Sequence, residues 1–203
     1  MKIICVGRNY ANHAKELNNE VPKTPILFLK PETSLLLKKH PFFIPDWTKN
    51  VHHEVEIVVK INRLGKHIEE RFAHKYYNEI SVGIDFTARD IQDELKNAGQ
   101  PWERAKAFDG AAVVGKFVDK SQFKSLHNLH FKLAKNGEIV QSGNTSDMLF
   151  SIDKLIAVAS EYFTLKIGDL IYTGTPAGVG PVAKDDRLAG YLEGEKLFDI
   201  NVK

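Results

Sequence analysis

The chain has 203 residues, 43% hydrophobic and 27% charged, the balance of an ordinary globular domain large enough for a real core. Lys and Arg total 28 against 26 Asp and Glu, and a formal charge of +2 gives no reason to propose nucleic acid or an anionic membrane surface as a partner. The single cysteine, Cys5, excludes an internal disulfide, and no apolar run reaches the roughly 20 residues that span a bilayer.

In chain order, residues 2–6 form a short apolar strand ending at Gly7, with Cys5 expected as a small buried hydrophobe. A helical pattern follows, with Ala11, Ala14 and Leu17 on one stripe, and then a polar, proline-containing loop over 18–24. Residues 26–31 read as a buried strand stopped by proline, and 52–61 as one β-branched, alternating strand. Residues 79–86 alternate as well. Thr87 and Asp90 then make a capping-box-like start for a helix through Lys96, closed by Gly99. Residues 111–118, 130–143 and 196–203 read as later strands, the second folded on itself at Asn136-Gly137. Residues 151–163 are an amphipathic helix, and 169–182 run from a strand into a Gly/Pro loop. No repeat or linker divides the chain. A mainly β (α+β) sandwich or roll in one domain, 1–203, is expected, and with no signal-peptide pattern a cytoplasmic location.

Strand side chains alternate faces, so Glu54 and Glu56 point one way and Val55, Ile57 and Val59 the other. Two carboxylates on one face of an apolar strand repel each other and lose hydration, which a bound cation offsets directly. Asp85 ends its own strand on the face of Ser81 and Gly83, small residues that leave room for a ligand. Three carboxylates and no cysteine mark a hard cation, Mg²⁺ or Mn²⁺; Zn²⁺ would need His52, which shares the glutamate face. The competing reading makes Glu54 and Glu56 a solvated strand face and Asp85 a helix cap.

His13 and Glu16, three apart on the first helix, share a face. A carboxylate beside an imidazole fixes its tautomer and suits activation of a water, although the same spacing also describes a surface pair. Their place just before the 18–24 loop is where a lid would close. Arg8, Lys30 and Lys106 are each able to hold a substrate carboxylate or to be plain surface charges. GTPAGVG (174–180) either offers N–H groups and the Thr175 hydroxyl to an anion or is a tight turn; it is neither a Walker loop nor a dinucleotide fingerprint.

Taken together, VGRNYANHAKEL, ILFLKP, HHEVEIVV, GIDFTARDIQDELKNAGQPWERAKAFDG, QSGNTSDMLF and LIYTGTPAGVGPV resemble the fumarylacetoacetate hydrolase family, and are most similar to its small acylpyruvase and oxaloacetate decarboxylase branch. The resemblance implies a mixed β-sandwich roll, a homodimer, and one Mg²⁺ or Mn²⁺ per chain at Glu54, Glu56 and Asp85. It implies His13 and Glu16 as the helix dyad, Lys106 and Gln92 facing the metal-bound substrate, and Arg8 and Thr175 at its carboxylate or lining the pocket. The activity it implies is C–C cleavage of a small 2-oxo acid through an enolate, by acylpyruvate hydrolysis or oxaloacetate decarboxylation. The alternatives are a 2-hydroxyhepta-2,4-diene-1,7-dioate isomerase and, outside enzymes, a structural cation-binding β domain.

Overall fold

A computed structural model describes residues 1–16 and 20–203, residue 14 by its backbone alone. Leu17 of the expected helix stripe, and Asn18 and Asn19 of the expected lid, lie outside the described residues.

The first half of the chain forms β1 (Ile3–Gly7), β2 (Ile26–Lys30), β3 (Val51–His53), β4 (Val55–Ile61), β5 (Tyr77–Asp85), β6 (Thr87–Ala88) and β7 (Ala112–Val114). The second half adds β8 (Val118–Asp119), β9 (His130–Lys135), β10 (Glu138–Asn144), β11 (Leu170–Tyr172), β12 (Gly180–Pro181), β13 (Arg187–Leu192) and β14 (Glu195–Asn201). The helices are α1 (Ala11–Glu16), α2 (Glu70–Ala73), α3 (Arg89–Asn97), α4 (Glu103–Lys106) and α5 (Ile152–Tyr162). None of them is long and apolar enough to cross a membrane.

The main sheet runs β2-β1-β11-β4-β5-β7, with β8 also on β5, and is antiparallel except for the β1–β11 pair. A second sheet, β10-β9-β13-β14, packs on one of its faces, and β12-β3-β6 form a small third sheet. The architecture is the expected mixed, mainly β sandwich. Its core follows from alternation: Val55, Ile57, Val59 and Ile61 of β4 and Ile80, Val82 and Ile84 of β5 are fully buried against Phe131, Leu133, Leu188 and Leu192 of the second sheet. The other face of β4 and β5 carries the carboxylates, above a smaller cluster of Ile3, Cys5, Val58, Ala112, Leu170 and Tyr172.

Local signals behave as their chemistry requires. Asn136 and Gly137 both take positive φ (55° and 90°), the type I′ geometry that closes the β9–β10 hairpin. Ser151 caps α5, its hydroxyl accepting from Lys154 N at 3.2 Å. Gly99, at φ +63°, closes α3 with its N–H on Lys96 O.

Several expectations are corrected. Residues 52–61 are not one strand: the ladder breaks at Glu54, because Val55 N–H donates to the Gln141 side chain at 3.0 Å, and β3 and β4 enter different sheets. Thr87 is not a cap; it lies in β6, while α3 starts from Ala88 without a side-chain cap. Asp90 instead accepts from the Thr48 hydroxyl (2.6 Å) and Lys49 N (2.8 Å), pinning the preceding loop. Residues 111–118 form two strands interrupted at Gly115, where an added Cβ would lie 2.9 Å from Leu197. β13 was not anticipated, since Ala189 and Gly190 blur its alternation.

Candidate active site

Three carboxylates converge where β4 and β5 lie side by side. Glu54 occupies the break before β4, Glu56 sits opposite Gly83 in the register, and Asp85 ends β5. One oxygen from each lies within 4.8 Å of the others, and all three side chains are buried. Three buried cations surround them. Lys106 Nζ donates to Glu54 Oε2 (2.7 Å) and Asp85 Oδ2 (2.9 Å), and Arg89 Nη2 to Glu54 Oε1 (2.6 Å). Lys30 Nζ lies 2.8 Å from Asp85 Oδ1, an ion pair without hydrogen-bond alignment, its own bonds going to the carbonyls of Lys106 and Ala111.

The charges are unevenly shared. Burial raises the pKa of Glu54, but Lys106, Arg89 and His13 outweigh it and hold the carboxyl well below the usual range. Glu56 contacts no lysine or arginine among the described residues, and its Oε2 accepts only the Gly174 N–H, at 2.7 Å. Burial, with Asp85 and Glu54 beside it, pushes it well above the usual range. An all-oxygen trio with an unaligned Asp85 Oδ1 and an uncompensated Glu56 fits a hard divalent cation, which would supply the missing charge.

The trio floors a narrow cleft, partly open to solvent. Arg8, His13, Gln92, Lys106 and Thr175 line it, so the residues that the family resemblance assigns to the site, Glu16 excepted, meet there. Glu16 stands behind His13, its Oε2 3.3 Å from His13 Nδ1, and its carboxylate accepts the Gly178 N–H at 3.0 Å. Burial lowers the pKa of His13, with Glu54 and Glu16 pulling the other way, which keeps the ring neutral over a wider range. The surface-pair reading therefore does not hold for His13, which is 5% exposed. Gln92 Oε1 accepts from Arg89 Nη1 at 2.6 Å, leaving its amide nitrogen to donate.

The glycine loop does something other than cradle an external anion: its Gly174 and Gly178 N–H groups are taken by Glu56 and Glu16, residues of the site itself. Gly83 makes no room for a ligand either. An added Cβ would lie 2.3 Å from Val113 O and 3.0 Å from the Tyr172 ring, which packs over it. Ser81 donates to Lys116 O. His52 leaves the glutamate face with β3, pairing with Thr87 and Pro181, and neither joins the trio nor lines the cleft. Lys30 and Lys106 are not surface charges. The contributions of Lys30 and Arg89 to the trio were missed; the one available signal for Lys30 is a lysine closing an otherwise apolar strand.

Residues 2–198 match the family described as fumarylacetoacetate (FAA) hydrolase, C-terminal. The mitochondrial oxaloacetate tautomerase of Bos taurus is 43% identical over 201 residues, covering 99% of this chain and 91% of that protein. An oxaloacetate tautomerase of Escherichia coli (strain K12) is 44% identical over 197 residues, covering 97% and 90%. A fumarylpyruvate hydrolase of Pseudomonas aeruginosa, solved in complex with Mn²⁺ and pyruvate, is similar with a TM-score of 0.93 at 33% identity, covering 100% of this chain and 89% of that one.

Proposed function

This chain belongs to the fumarylacetoacetate hydrolase C-terminal family, and from that premise we propose that it is a divalent-metal-dependent enzyme interconverting the keto and enol forms of a small 2-oxo diacid of the oxaloacetate kind. It is an enzyme acting on small acids, as its relatives are. The observation that carries the finer reading is the juxtaposition, in one cleft, of an oxygen trio suited to a hard cation with cationic and amide donors suited to carboxylates. The family resemblance implies C–C cleavage first; the tautomerase names of relatives at 43% and 44% identity move the weight to proton transfer.

Glu54, Glu56 and Asp85 would hold the ion, Mg²⁺ or Mn²⁺, one per chain. When bound, it supplies Lewis-acid polarisation of the 2-oxo group. The chain's own groups do the rest. Lys106, Arg8, Gln92 and Thr175 donate to the substrate carboxylates and orient the diacid. His13, its Nδ1 held by Glu16, takes a proton from the carbon beside the ketone at Nε2 and returns it to the oxygen. Neutrality of the imidazole, favoured by its burial, is the condition for the first transfer.

A second reading is hydrolysis of an acylpyruvate, favoured by the same His13–Glu16 pair, which is equally suited to activating a water. Both reactions pass through one enolate, and decarboxylation reaches it without any base. The deciding experiment follows oxaloacetate, acetylpyruvate and a hydroxymuconate-like diacid by enol absorbance and product mass, with and without chelator. The tautomerase reading expects metal-dependent enol–keto relaxation of oxaloacetate with mass conserved. Relaxation no faster than in buffer, or only fragments and CO₂, would sink it.

A further inference from the structure

The QSGNTSDMLF stretch has no part in the chemistry above, yet its first residue hydrogen-bonds both the carboxylate strand and a residue lining the cleft. Gln141, on β10, is 2% exposed. Its Oε1 accepts from Val55 N (3.0 Å) and lies 2.8 Å from His53 Nδ1, while its Nε2 donates to Thr175 Oγ1 (3.0 Å) and Pro176 O (3.1 Å). A backbone N–H only donates and a carbonyl only accepts, so Val55 and Pro176 together forbid exchanging the two ends of the amide. His53 Nδ1 must then carry the proton.

The consequence passes to Thr175. Its hydroxyl oxygen already accepts from Gln141, so its hydrogen has to be donated elsewhere. Among the described residues no group receives it, and Thr175, 3% exposed, lines the same cleft as Glu56 and Lys106. A buried hydroxyl with an unspent donor is costly unless an acceptor arrives, and a carboxylate is the strongest acceptor the site is built to take. The same amide holds Val55, the residue between Glu54 and Glu56, so one side chain ties the donor's direction to the position of the trio.

We propose that Gln141 is a positioning residue that fixes Thr175 as a hydrogen-bond donor to the substrate carboxylate. The proposal rests on the reading of the cleft as a 2-oxo-acid site. Methionine in its place removes the amide, glutamate keeps the acceptor for Val55 and His53 but cannot donate to Thr175, and valine at 175 removes the hydroxyl at constant shape.

The test uses pyruvate as the probe and titrates it into the Mg²⁺-loaded protein by calorimetry. Q141M, Q141E and T175V should each weaken pyruvate binding roughly tenfold or more, the scale of one lost bond to a charged group. T175S should bind as wild type, Mg²⁺ affinity should hold in T175V and T175S, and Q141M with T175V should bind pyruvate no more weakly than T175V alone, because one path is broken twice. Q141M binding pyruvate like wild type, or losses that multiply in the double variant, would overturn the proposal alone. Wild-type protein that binds Mg²⁺ but no pyruvate would overturn the 2-oxo-acid reading and this proposal with it. Should neither Gln141 variant fold, T175V against T175S decides: T175V binding as wild type means the hydroxyl donates elsewhere, and the proposal fails.

Discussion

Glu56 differs from its two neighbours in lacking a cation of its own, and that difference is measurable. Its pKa is raised, so the metal-free protein keeps a proton there to higher pH than an ordinary carboxyl does. A divalent ion needs the carboxylate, so binding must expel that proton, and Mg²⁺ affinity should rise with pH until the raised pKa is passed. Calorimetry in buffers of different ionisation enthalpy should register release of up to about one proton per ion. Glu56→Gln should abolish both the release and Mg²⁺-dependent turnover while leaving the fold intact; full activity of that variant after chelation would remove Glu56 from the site. The dyad separates from the trio by the same logic. His13→Ala and Glu16→Gln should lower acylpyruvate hydrolysis on the order of 10²–10⁴-fold, the usual worth of a positioned base, with Mg²⁺ affinity unchanged and decarboxylation comparatively spared. Side-by-side rates on the two substrates check this, and an unchanged hydrolysis rate would retire the dyad. At this scale the carboxylates were legible, because alternation on an apolar strand leaves few explanations for Glu54 and Glu56. Lys30 was not, because a lysine's burial depends on what folds over it: here Asp85 and two carbonyls from segments 76 and 81 residues away.

At the level of elements, the site depends on two irregularities. One is the 174–180 loop, whose first glycine takes φ +98° and lies so near Asn9 that an added Cβ would be 2.6 Å from Asn9 Cβ. Gly174→Ala should therefore destabilise the fold on the order of 1–3 kcal/mol through backbone strain, more where Asn9 cannot yield, and weaken Mg²⁺ binding by shifting the N–H on Glu56. Denaturant unfolding with and without Mg²⁺ reads both effects, and a variant as stable as wild type would mean the loop relaxes freely. The other is the break at Glu54, which carries His52 away from the trio into the small sheet. Partial burial, followed by Arg89, lowers its pKa to about 4, and its Nδ1 has no hydrogen-bond partner among the described residues. Between the ordinary histidine value near 6.5 and about 4, the unfolded chain binds a proton that the folded one refuses. The stability from a neutral His52 is thus fully present above pH 6.5 and lost as pH falls through that window. In excess chelator, the melting temperature of wild type should fall more steeply from pH 6.5 to 5 than that of His52→Gln; parallel slopes would count against the half-buried neutral imidazole. Periodicity could not see the break, because Val55 still alternates correctly and only a glutamine 86 residues away takes its N–H.

For the molecule as a whole, the homodimer is a proposal with a surface to match it: Leu37 and Phe43 are 67% and 65% exposed along one groove, and Trp47 is 52% exposed beside Phe108. Three large apolar side chains left in water on neighbouring surfaces suit a symmetric contact with a second copy. Light scattering across micromolar concentrations should give twice the mass of one chain, and Phe43→Glu should lower it; a single-chain mass for wild type would discard the dimer. What the sequence by itself determined rests on near neighbours: most of the strands that alternate, the Asn-Gly hairpin, the Ser-capped helix, the pairing of His13 with Glu16, and the two glutamates on one face. Those are consequences of backbone periodicity and local hydrogen bonding, which act over a few residues. Only the tertiary structure decided which charges face the trio, that the glycine loop serves Glu56 and Glu16, and that Gln141 dictates what Thr175 can donate to. Each of these joins segments dozens of residues apart, and the desolvation that gives them their energy exists only once the sheets have closed over them.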